Sequence, residues 1–103
     1  MELKIAKNKI SENIDVFLTR TLGYFKMPNT NPTKEQNFVK PLSKAGYPRF
    51  HIYISERKTE YAFNLHLDQK RAVYKGATAH SGEYEESEVL KKEFERIRSK
   101  FFV

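Results

Sequence analysis

The sequence predicts an α+β domain: an antiparallel β-hairpin or three-stranded sheet, with an N-terminal and a C-terminal helix packed on one face. Three observations lead there. In "RFHIYISERKTEYAFNLHLD" two alternating runs flank the polar stretch Glu56 to Glu60, the pattern of a hairpin. In "SENIDVFLTRTLG" and "EESEVLKKEFERIRSKFF" apolar residues recur at helical spacing on one stripe each. A chain of 103 residues then has room for one core, so residues 1–103 form a single domain.

Taken in chain order, Leu3 and Ile5 alternate with polar residues and make a short strand or a loose lead-in. Ser11 is a good N-cap, Ile14, Phe17, Leu18 and Leu22 share a face, and Gly23 suits a left-handed C-terminal residue, which predicts a helix from about Glu12 to Leu22. "KMPNTNPTKEQN", residues 26–37, has two prolines, three asparagines and no apolar period, so it reads as a long irregular loop. "NFVKPL" is expected as an edge strand, because Pro41 cannot donate to a ladder, and "SKAGYP" turns the chain.

In the hairpin Phe50, Ile52 and Ile54 share one face and Tyr61, Phe63, Leu65 and Leu67 the other strand's equivalent. Pairing those faces requires partner numbers that sum to 115 or 117, since a one-residue slip turns the apolar set outward. The opposite face then displays Arg49, His51, Tyr53 and Ser55 beside Ala62, Asn64, His66 and Asp68. "QKRAVYKGATAHSGEY" is expected as a connecting loop with a short strand around Val73. Leu90, Phe94, Ile97 and Phe101 form the stripe of the last helix, with Glu85, Glu86 and Glu88 at its start and Arg96, Arg98 and Lys100 at its end, as the helix dipole favours.

Composition bounds the function. There is no cysteine, so disulfides and thiolate metal sites are excluded and any metal needs His and carboxylate ligands. The opening "MELKIAKNKI" is charged throughout and no apolar run approaches the roughly 18 residues of a membrane span, which points to a cytoplasmic protein without a membrane role. Net charge is +6. Residues 1–49 carry nine Lys/Arg against four Asp/Glu and residues 50–103 ten against nine, so the excess lies in the first half. A basic chain invites polyanionic partners or is simply a Lys-rich, soluble surface.

The polar hairpin face supports two chemistries. As a nucleic-acid site, Tyr53, His51 and His66 offer flat surfaces for unstacked bases of RNA or another single strand, Asn64 could read a base edge and Arg49 hold phosphate. As a metal site, His51, His66 and a His80 folded back from the loop could bind zinc with an open fourth position, with Asp68 or Glu83 as partner or general base. No short-range ligand motif accompanies the histidines, and no established RNA-binding pattern accompanies the aromatics. The ordinary alternative is that His51 and His66 are half-exposed strand residues bonded to neighbours and His80 braces a loop. Ser81 adjoins His80 too closely for a nucleophile and base pair, and "YKGATAHSG" lacks the ending of a phosphate loop.

At "YPRFHIYI", "NLHLDQK" and "AHSGEY" the chain resembles a family of small uncharacterised proteins from candidate-phylum bacteria, over residues 47–98. That resemblance implies a compact natural domain and no particular activity. The sequence therefore leads to a non-enzymatic binding module, with nucleic acid or another phosphate-bearing partner ahead of a His-based metal site. A protein-interaction or self-associating module is the third possibility.

Overall fold

The computed structural model describes residues 1–28, 35–69 and 80–101, with side chains in the last helix from Glu88 onward. Five strands form one antiparallel sheet: β1 (Glu2–Ala6), β2 (Phe25–Met27), β3 (Gln36–Pro41), β4 (Arg49–Glu56) and β5 (Glu60–Asp68), in the spatial order β1-β5-β4-β3-β2. This corrects the expectation of a hairpin or three-stranded sheet. The reason is physical. β1 is short and studded with charge, and its partner β5 is distant in sequence, so no local signal marks the pairing. β2 has three residues, too few for alternation to show.

Two local expectations are corrected with it. Lys26, Met27, Gln36 and Asn37 lie in strands rather than in an irregular loop. β3 is an inner strand, not an edge; Pro41 is tolerated because it is the last residue of the strand, paired with Arg49. The hairpin adopts the register in which partners sum to 117, placing His51 opposite His66 and Ile52 opposite Leu65. The strand expected around Val73 lies outside the described residues.

The N-terminal helix, α1, has α-register over Ile14–Val16 and π-register over Phe17–Thr21. It starts later than expected because Asn13, not Ser11, is the cap: its side chain accepts from the Asp15 N–H at 2.8 Å. Glu12 is turned aside and accepts from the Thr21 hydroxyl at 3.0 Å. Gly23 at φ +82° reverses the chain, and the Tyr24 N–H returns to the Leu18 carbonyl at 2.9 Å. The second helix, α2 (His80–Ser99), begins before the acidic run that was expected to start it. Gly82 and the lack of apolar spacing before Val89 hide that extension from a periodicity reading.

Both helices pack on one sheet face. Ile14, Phe17, Leu18 and Leu22 of α1 and Ile97 of α2 join Phe38, Phe50, Ile52, Ile54, Phe63 and Leu65 in a single cluster, flanked by Leu67, Leu90 and Phe94. The Phe101 ring closes the junction, 5.2 Å from Phe17 and 6.2 Å from Phe63 between centroids. A buried polar link crosses this layer, in addition to the exposed Lys26–Asp15 ion pair at 2.6 Å between β2 and α1. Glu93, only 6% exposed, accepts from the Tyr24 hydroxyl at 2.6 Å and from the Arg96 Nε at 2.8 Å, while Arg96 Nη2 also donates to the Leu22 carbonyl at 2.8 Å. Burial first, then the bond to Glu93 and its negative charge, hold the Tyr24 phenol well above its ordinary pKa. No helix among the described residues is long and apolar enough to cross a membrane.

Candidate functional site

With both helices on one side, the other face of the sheet is uncovered by any described element. Strand parity dictates its content. One cross-strand row reads Glu2, Asn64, Tyr53, Asn37 and Met27, and the next reads His66, His51, Val39 and Phe25. Tyr53 occupies the middle of the central strand, so it is the geometric centre of the face.

A polar network fixes the tier beside it. His51, 9% exposed, sets Nδ1 at 2.9 Å from Asp68 Oδ2 and Nε2 at 2.8 Å from Asn37 Oδ1. Arg49 Nε donates to the same Asp68 oxygen at 3.2 Å, and its guanidinium lies over the Tyr47 ring at 4.8 Å. The doubly protonated ring donates to both oxygens; the neutral ring keeps both bonds if the Asn37 amide turns to present its NH2 group. In either state the buried imidazole is satisfied. It is also the backing for Tyr53, whose ring stacks on it at 4.3 Å with 22° between planes. His66, exposed, meets Tyr53 edge-on at 5.5 Å.

Of the residues singled out from sequence, the structure brings Arg49, His51, Tyr53, Asn64, His66 and Asp68 onto one surface. Asn64, the Tyr53 hydroxyl and the His66 nitrogens have no hydrogen-bond partner among the described residues, so they are the groups free to meet a ligand. His51 is not free, because zinc would have to displace Asp68 or Asn37 from it. His80 opens α2, and its side chain and that of Glu83 lie outside the described residues. Among the described residues no cluster of His, Asp and Glu is arranged to hold a metal.

No family model, no curated protein and no solved structure matches the chain.

Sequence reasoning missed several members of that face. Composition places Asn37 where a loop meets an edge strand, although its spacing from Val39 gives the two a common side. Phe25, 65% exposed on β2, carries no periodic signal at all. Charge was missed too. Among the described residues the face holds Lys4, Arg49 and Arg57 against Glu2, Glu35, Glu60 and Asp68, three cations to four carboxylates. Arg57 is placed there by its guanidinium, 4.0 Å from Glu2 and 3.4 Å from Glu60, and Glu35 by its bond from the Ser55 hydroxyl at 2.7 Å. Among the described residues this surface carries no basic excess.

Proposed function

We propose that the protein is a non-enzymatic protein-binding module whose contact surface is the open sheet face. The observation that carries this reading is the arrangement of the face: an uncharged centre of Tyr53, Asn64 and His66 on a floor of the buried His51, Asn37 and Val39, with Phe25 at the β2 edge and the charged side chains among the described residues at the margins. Protein interfaces are built this way, with aromatic residues enriched and charges depleted at the core and a polar rim around it. Covering the centre strands few polar groups, since His51, Asn37 and Asp68 already satisfy one another.

Charge placement is what moves the reading from nucleic acid to protein. Affinity for a single strand rests largely on cations that neutralise phosphates, and among the described residues of this face carboxylates outnumber them. Stacking is also restricted, because one side of the Tyr53 ring is taken by His51. A photo-crosslinking phenylalanine analogue in place of Tyr53 tests the class of partner. The expected product in expressing cells is a discrete adduct that protease removes and nuclease does not. A nuclease-sensitive adduct would restore the nucleic-acid reading, and no adduct from Tyr53 or from Phe25 would remove the face from consideration.

A further inference from the structure

We infer that the partner covering this face is a second copy of the chain, related by a two-fold axis passing close to Tyr53; the inference rests on the protein-binding reading of the face. Four observations converge on it. The first is electrostatic. Two molecules of charge +6 repel wherever their basic surfaces meet, and the open face is where the described charge comes closest to balance, at three cations to four carboxylates. Screening over about 8 Å at physiological salt leaves the charges across the sheet largely unfelt.

The second is dimension. Five strands at about 4.8 Å spacing and some six residues at about 3.4 Å rise give a footprint of roughly 24 by 20 Å, about 500 Å² in projection. Side-chain relief adds to that, which brings it towards the roughly 800 Å² that each partner contributes to a standard interface.

The third is hydrogen-bond economy. Sheets pack face to face only if their buried polar groups are satisfied. The His51 network is closed within one chain. What is left open near the centre is the Asn64 amide, the Tyr53 hydroxyl and the His66 ring, and each can serve as both donor and acceptor. An isologous contact sets a residue against the same patch of its copy, so groups of this type are the ones that can pair with themselves. A lone Lys or Asp in those places could not.

The fourth is the position of the anchor. Tyr is among the residues that dominate interface energetics when they sit at the centre of the patch, and Tyr53 is there, held upright by the His51 ring behind it. Phe25, exposed at the β2 edge, supplies the apolar contact at the margin of the same face.

Sedimentation equilibrium of the full chain measures the consequence. The wild type is expected at twice its 12.2 kDa mass, with a dissociation constant on the order of micromolar. Tyr53→Arg and Tyr53→Glu each place like charges against one another at the axis and should weaken the dimer by about 30-fold or more. Mixing the two variants should restore a dimer, seen as the heterodimer by native mass spectrometry. That rescue separates an interface from a folding defect, as does an unchanged circular dichroism spectrum. Lys91→Glu, exposed on α2, should leave the mass unaltered.

A wild type that stays monomeric up to about 1 mM overturns the second copy. A Tyr53 adduct to a foreign protein would in that case leave the protein-binding reading standing. A dimer that survives both Tyr53 variants also overturns the inference, since the contact then lies elsewhere. A nuclease-sensitive adduct from Tyr53 overturns the inference and the reading beneath it together.

Discussion

Replacing Glu93 with alanine tests whether α2 is held in place by apolar packing alone. Glu93 is 6% exposed and accepts three bonds, from the Tyr24 hydroxyl at 2.6 Å and from Arg96 Nε and Nη2 at 2.8 and 2.9 Å. Its removal affects the partners unequally. The Arg96 side chain is 34% exposed and keeps the Leu22 carbonyl, so water replaces part of what it loses. Tyr24 is 2% exposed and has no such recourse; its hydroxyl becomes an unsatisfied buried donor, at a cost of about 1 to 3 kcal/mol. Adding the lost charge-assisted bonds, discounted for the exposure of Arg96, gives a loss of about 3 to 4 kcal/mol, within the usual range for breaking a buried pair. Tyr24→Phe removes donor and demand together and should cost only about 1 to 1.5 kcal/mol. Urea unfolding of wild type, both single variants and the double variant closes a mutant cycle, in which the Tyr24–Glu93 coupling should be about 1 to 3 kcal/mol. A loss below about 1 kcal/mol for Glu93→Ala, or single losses that simply add, would show that the network is incidental to stability.

Other outcomes follow from the same geometry. Because the Tyr24 phenol is held above its ordinary value of about 10, chiefly by burial, the unfolded state loses that proton first as pH rises. Stability is therefore whole below about pH 10 and falls above it, and Tyr24→Phe should flatten that alkaline decline in urea midpoint. Ile52, fully buried in the middle of the sheet, should cost about 3 to 5 kcal/mol on truncation to Ala, whereas Phe94→Ala, at the margin of the cluster, should cost less; equal midpoints would refute the packing order. Asn13→Ala removes the α1 cap and should lower stability by about 1 kcal/mol by the same measurement. Calorimetric titration with zinc should show no stoichiometric binding that depends on His66, since both His51 nitrogens are engaged; one-to-one binding abolished by His66→Ala would reinstate the metal reading.

What could be read from residues alone was whatever alternates or repeats within a short window. The central hairpin runs through eight and nine strand residues, so parity sorted its faces before any register was known, and either permitted register puts His51 and His66 on the same side. The α2 stripe has the same legibility. β1 and β2 have five and three residues, and their pairings join segments far apart or too short to alternate visibly. The π-register of α1 is likewise invisible to periodicity. The Leu22 N–H reaches back to the Phe17 carbonyl at 3.1 Å while Phe17, Leu18 and Leu22 all remain buried, a compromise that spacing in the sequence does not announce.

The site was half legible for a related reason. Its members on β4 and β5 follow from parity, but the proposed class of partner turns on charge, and charge along the chain divides differently from charge across the sheet. Counting by halves put the excess in residues 1–49 and suggested that Arg49 and its neighbours face a polyanion. Counting by faces needs β1 and β3 in place. β1 brings Lys4 but also Glu2, and β3 leads in with Glu35 beside Ser55. Arg49, expected from sequence to hold phosphate, donates to Asp68 and lies over the Tyr47 ring. A cation whose countercharge is 3.2 Å away adds little attraction for a distant polyanion, because the pair is close to neutral beyond a few ångströms. The same pair is well suited to the rim of a protein contact, where it excludes water without carrying net charge into the interface. Polar residues on an open sheet face thus distinguish partners less by their identity than by whether neighbouring strands have already neutralised them.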